Sequence, residues 1–337
     1  MGAKGNSASR SNVNRRDFLT FGGITGAASL AAACGQGKPL TQPVSANKEA
    51  SGQRKSVLRM AHITDMHMID RVAATSGFAR ALANIRDLDP AVDVVFNTGD
   101  CVMDGLKTDK AQVEGQWALF KSILKDGCSL PVYHAIGNHD VWGWGLPDST
   151  QQQIKDDPLF GKGMAVMQLG LPGRYYAFDK AGWHFIVLDS THLPEIASDN
   201  PYTGKLDDEQ FAWLSSELKN TPSETPVCVI SHIPILCVCE FFDGENETTG
   251  NWVVPGAWMH IDARRMRQLF LSFPNVRLCL SGHAHQQEAL EYLKVKYLND
   301  GAISGNWWQG AYLDFPPGYV IIELFDDGSS ESKFITY

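Results

Sequence analysis

Positive charge is in short supply in this chain. Its 337 residues carry 29 lysines and arginines against 38 aspartates and glutamates, a formal net charge of −9. Proteins that grip nucleic acid or an anionic membrane usually present a basic face, so no stable nucleic-acid partner is expected. A comfortable membrane span is missing from the N-terminal region too. The apolar stretch there is short and rich in glycine, against the roughly 20 apolar residues a spanning helix needs. No internal repeat appears, and only one stretch has the composition of a linker, so the domain count is one. Cysteine is scattered: beyond Cys34 there are Cys101, Cys128, Cys228, Cys237, Cys239 and Cys279. Cys228 in "VCVI" and Cys279 in "RLCLS" sit inside apolar runs, which predicts buried free thiols. Cys237 and Cys239 would share one face of a strand without the geometry of a disulfide.

The N-terminus determines the expected compartment. Arg15 and Arg16 precede Phe18 and Leu19, and a Gly/Ala-rich run follows to "LAAACG". This pattern resembles a twin-arginine export signal, with the alanines at 31–33 as a small-residue cleavage site. Cys34 before Gly35 also resembles a lipoprotein modification site, although Ala31 stands where such sites prefer leucine. Both a released and a membrane-tethered product therefore remain open. The expectation is a signal at 1–34, a flexible Gly/Pro/Ser/Lys-rich linker at 35–55 and one domain at 56–337. The protein would be exported by the twin-arginine machinery, to be periplasmic or anchored outside the cytoplasm.

Beyond residue 57, short apolar runs alternate with helical patterns, which predicts an α/β fold. Strands are expected in "VLRMAHITD", "VDVVFNTGD", "VYHAIGNHD", "WHFIVLD", "PVCVISH", "VRLCLSGH" and "GYVIIELFD". Helices are expected near 74–87 and 109–125 and in "LDDEQFAWLSSELKN". There Asp207 can cap the helix with Gln210 three residues on, and Phe211, Leu214 and Leu218 line one face. Ligands of such folds gather beyond the carboxyl ends of the strands, and five of those ends carry metal-type side chains. They are Asp65 with His67, Asp100, Asn138 with His139 and Asp140, His232, and His283 with His285. Asp-x-His and His-x-His put two side chains on one side of an extended segment. Carboxylate, amide oxygen and imidazole together suit Mn, Fe or Zn. Singly, each aspartate could cap a helix and each histidine could bond a carbonyl. Five strand ends carrying such groups together exceed what capping produces.

In their order, D-x-H, GD, GNHD, H and GHxH over residues 57–325 resemble the calcineurin-like metallophosphoesterases, in particular the cyclic-nucleotide phosphodiesterases. The resemblance implies a four-layer α/β/β/α sandwich of two mixed sheets flanked by helices, with a dinuclear metal centre at the strand ends. It implies one metal held by Asp65, His67, Asp100 and His285, and a second by Asp100, Asn138, His232 and His283. His139 would face the substrate phosphate and protonate the leaving group, and Asp140 would orient that imidazole. A hydroxide shared by the metals would attack phosphorus in a small-molecule phosphodiester, a cyclic nucleotide being one candidate. The loop at 237–258 and "SGNWWQG" supply aromatic groups, among them Trp252 and Trp307, that could stack on a substrate or merely pack the loop. Asp104 reads as a loop cap. A phosphomonoesterase of acid-phosphatase type is the alternative enzyme, weakened because Met103 stands where that group carries a tyrosine. A non-catalytic metal-binding scaffold is the alternative outside enzymes.

Overall fold

The strand Ser56–Ile63 (β1) shows how the layers are made. Leu58 and Met60 point to one side, into a core shared by two sheets, while Ala61 and Ile63 point to the other, into a core shared with helices. This is the period-2 alternation of a strand buried on both faces. The computed structural model describes residues 54–195, 200–242 and 246–337. Arg15, Arg16, Cys34 and the linker to residue 53 therefore lie outside the described residues, as do the export and lipidation expectations that rest on them.

In chain order β1 is followed by the helix Val72–Arg86 (α1), the strand Val94–Asn97 (β2), the helix Lys110–Gly127 (α2) and the strand Val132–His134 (β3). Two short helices, Asp148–Ile154 (α3) and Gly163–Leu169 (α4), lead to the hairpin Tyr176–Lys180 (β4) and Trp183–Val187 (β5). Thr191–His192 (β6) and Thr203–Gly204 (β7) form a small two-stranded ribbon before the helix Asp208–Asn220 (α5) and the strand Val227–Ile230 (β8). The remainder comprises Asn246–Thr249 (α6), Ala263–Leu271 (α7), Val276–Ser281 (β9), Gln287–Tyr292 (β10), Val295–Asp300 (β11), Gly318–Phe325 (β12) and Ser330–Thr336 (β13).

One sheet has the order β13-β12-β1-β2-β3 and the other β10-β11-β9-β8-β5-β4. Both are mixed: β1, β2 and β3 run parallel, as do β5, β8 and β9, with antiparallel strands at the margins. Phe96, Phe178 and Phe185 stack between the sheets with centroids 5.0–6.3 Å apart. Phe78 and Leu82 of α1 and Trp117 and Phe120 of α2 cover the outer face of the first sheet. Leu214 and Leu218 of α5 and Met266 and Phe270 of α7 cover the second. Each such buried side chain contributes about 1.5–3 kcal/mol relative to exposure. The result is the expected four-layer sandwich. The predicted cap of α5 is present, with Asp207 accepting from the Gln210 N–H at 2.8 Å. Asp104 accepts from the Lys107 N–H at 3.0 Å, a loop cap as expected. Among the described residues no helix is long and apolar enough to cross a membrane.

Candidate active site

Every predicted ligand lies just past the carboxyl end of a parallel strand: β1, β2 and β3 in one sheet, β8 and β9 in the other. Asp65, His67, Asp100, His283 and His285 all have positive φ, between 43° and 72°. Non-glycine residues held there cost on the order of 1–3 kcal/mol each, and such strain concentrates at functional sites. The backbone turns sharply enough to aim these side chains inward because neighbouring segments lock it. Asp65 N–H donates to Gly99 O at 3.0 Å and His67 N–H to Asp100 O at 2.9 Å. Close approach also requires glycine. A Cβ on Gly282 would lie 1.9 Å from Thr64 Oγ1 and 2.5 Å from Asp65 Oδ2.

Two ligand clusters result. In the first, His67 Nε2 lies 3.0 Å from His285 Nε2 and 3.7 Å from Asp65 Oδ1, and His285 Nε2 is 3.3 Å from the same oxygen. In the second, His232 Nε2 lies 2.9 Å from Asn138 Oδ1 and 3.3 Å from Asp100 Oδ2, and His283 joins that group. Asp100 Oδ2 is also 3.7 Å from His67 Nε2, so this carboxylate stands between the clusters. The backs of three of the four rings are tied down, His67 Nδ1 being buried without a partner. His232 Nδ1–H donates to Thr98 O, His285 Nδ1–H to Gly305 O and His283 Nε2–H to Ala257 O. Such bonds select the tautomer and aim the other nitrogen at a metal. Asp65 Oδ1 is buried without a hydrogen-bond partner. Lone-pair atoms that converge in this way, three of the four rings bonded on their outward side, fit a pair of cations.

The electrostatics agree. Burial pushes His67 down to about 4 and His283 to about 3, so both are neutral imidazoles with a free lone pair. His232 goes the other way. Burial alone would lower it, but Asp100, then Asp65 and Asp140, lift it to about 9. Because this folded value lies above the ordinary 6.5, the pair stabilises the metal-free fold fully below pH 6.5 and loses that contribution as pH rises through 9. Filling the cluster of Asp100, Asn138, His232 and His283 at pH 7.5 is expected to displace that one proton, in addition to any released at other sites. Indicator-dye titration of the metal-free protein in weak buffer checks this, with His232→Asn expected to release about one proton fewer per chain than wild type. Equal proton release from the two proteins would contradict it.

Two expectations need correction. Asp140 does not touch the His139 ring. Its Oδ1 accepts from the Cys101 N–H at 2.8 Å, and its Oδ2 accepts from the Gly137 N–H at 2.9 Å. It therefore cross-links the loops after β2 and β3. Burial, then the nearby Asp100, raises its carboxyl to about 6. The group that orients His139 is the Met103 carbonyl, which accepts from Nδ1–H at 2.6 Å. Trp252 is also absent from the pocket. It is 61% exposed and packs edge-on against Phe241. Trp307 does line the pocket, its ring 4.4 Å from that of His285. Tyr202, Gln286 and Tyr312 complete the wall with Glu240 and Trp258 of the 237–258 loop. Tyr202, Gln286 and Tyr312 gave no sequence signal of their own, because tertiary contacts bring them there from loops.

The family model for calcineurin-like phosphoesterases matches residues 58–287, and the chain belongs to that family. A 3′,5′-cyclic-nucleotide phosphodiesterase of Nostoc sp. is 24% identical over 295 residues, covering 83% of this chain and 92% of that protein. A 3′,5′-cyclic adenosine monophosphate phosphodiesterase of Haemophilus influenzae is 23% identical over 290 residues, covering 83% and 90% respectively. Among solved structures, a dimetal phosphatase from Danio rerio aligns with a TM-score of 0.55 at 14% identity, over 84% of this chain and all of that one. This last likeness concerns the fold.

Proposed function

We propose that this protein hydrolyses a small phosphodiester, with a cyclic nucleotide as the leading candidate. The observation that carries the reading is the meeting of both ligand clusters with the His139 imidazole at one aromatic-walled mouth. Asp65, His67, Asp100 and His285 would hold one ion of Mn, Fe or Zn, and Asp100, Asn138, His232 and His283 the other. Bound there, the ions supply Lewis-acid charge for the phosphoryl group and a nucleophile at neutral pH. The chain's own residues do the rest. With Nδ1–H committed to Met103 O, His139 keeps Nε2 to hold a proton for the departing alkoxide. The names of the two sequence relatives support a diester over a monoester.

One panel of diesters, monoesters and pyrophosphates, run on metal-quantified protein, tests the proposal. Diester turnover well above monoester turnover is expected, and the reverse order would transfer the assignment to an acid-phosphatase-type monoesterase. Metal retained without hydrolysis of any phosphoester would leave a binding scaffold. The aromatic wall adds a sharper expectation. Stacking on an aromatic side chain is worth about 1–3 kcal/mol per base. Trp307→Ala should therefore raise KM for nucleotide substrates about 5- to 150-fold, whereas Trp252→Ala leaves KM unchanged. Equal effects in the two variants would remove Trp307 from the substrate site.

A further inference from the structure

We infer that Cys237, Cys239 and Glu288 form a third metal site, separate from the catalytic pair and suited to one thiophilic cation of the Zn(II) kind. The Sγ atoms of Cys237 and Cys239 lie 2.8 Å apart, and Cys237 Sγ is 3.1 Å from Glu288 Oε2. Both cysteines are buried and the carboxylate is half-buried. The site is also built around these groups. Glu288 accepts from the backbone N–H of Val238 at 2.8 Å and of Cys239 at 3.1 Å, so the Cys-x-Cys turn is wrapped about the carboxylate. Asn299 places its Nδ2 donors 3.8 and 4.0 Å from the two sulfurs, the polarity a thiolate needs.

The convergence of three ligand atoms makes the case for a cation. Three groups that ionise to anions are gathered in one largely buried cluster. Among the described residues their hydrogen-bond and ion-pair partners include no Lys, Arg or His. Two sulfurs with one carboxylate select a soft or borderline ion over Mg or Ca. Three protein ligands leave a fourth tetrahedral position for water. Uptake forms two metal–sulfur bonds as two thiol protons leave to solvent, with no change in oxidation state.

The location gives the site a role. Cys239 immediately precedes Glu240, and Glu288 follows Gln286, and both Glu240 and Gln286 line the pocket. Asn299 Nδ2–H donates to the Gln286 carbonyl at 2.9 Å, so the cluster lies directly behind that wall. A bound ion would clamp the loop after β8 to β10 and hold the pocket's shape. The inference does not depend on which phosphoester is cleaved.

Cd(II) titration of the metal-free full chain tests it. Wild-type protein should bind three equivalents and develop a thiolate-to-cadmium absorption band that saturates at one. Cys237→Ser/Cys239→Ser should bind two and lose the band. Glu288→Gln keeps both thiols and should weaken the band's apparent affinity by at least about 10-fold, which covers the case in which the double variant fails to fold. Two equivalents in wild type would overturn the site. So would two thiols missing from the count on denatured, unreduced protein, since that marks a disulfide between these cysteines.

Discussion

His139→Ala should lower kcat by about 10²–10⁴-fold and leave both metals in place. The ring makes two notable contacts: its Nδ1–H bonds Met103 O, and it meets His67 edge-on with centroids 4.7 Å apart. Alanine removes both but keeps the backbone N–H, which donates to Asp100 Oδ1 at 2.7 Å and helps hold the carboxylate between the clusters. The side chain is only half-buried, so its loss should leave the fold intact. Asn138→Ala makes the contrast, because Asn138 Oδ1 sits 2.9 Å from His232 Nε2 among the ligands of the second cluster. That variant should lose occupancy of one metal. Metal analysis beside kcat distinguishes the two. If His139→Ala also sheds metal, the imidazole is a ligand and not the acid, an outcome to be taken seriously because it lies within reach of His67 and Asp100.

Much of this architecture is legible in the amino-acid sequence because buried parallel strands are continuous apolar runs. The runs containing β1, β2, β8, β9 and β12 declare themselves, and each of the first four ends in a ligand. Edge strands do not. β10 reads "QEALEY" and β13 reads "SESKFIT", mixing charge with apolar residues as a half-exposed margin requires. The ligand set is legible for a related reason: each ligand is fixed by its own strand end. Asp140 misled because adjacency in sequence suggested adjacency in space. Consecutive side chains in a tight turn diverge, and the carboxylate meets three backbone N–H groups around it, those of Cys101, Val102 and Gly137. The Cys237–Cys239 contact was hidden by the opposite error. A strand would have kept these thiols apart, but the segment is a turn entering a short 3₁₀ helix at Cys239–Phe242.

Gly137→Ala should abolish metal binding at both positions, although no ligand is altered. A Cβ there would fall 2.1 Å from Asp100 N and 2.1 Å from Asp100 Oδ1, the carboxylate shared by the clusters. One of these atoms is backbone, and the other is held by the His139 N–H, so neither can yield cheaply. Relief requires the loops after β2 and β3 to part, which also stretches the Asp140 bridge to Gly137 N–H. Overpacking of this kind costs about 1–3 kcal/mol, occasionally more, and here the displacement falls on the atoms that define the site. Gly115→Ala is the control. That glycine lies exposed within α2 with nothing near its added Cβ, and the change should stabilise by about 0.5–1 kcal/mol through helix propensity. Thermal melts with metal analysis on the pair separate a local steric effect from general intolerance of alanine. A Gly137→Ala protein with full metal content would mean that the two loops are free to move apart, and that the close approach at Asp100 is not what assembles the centre.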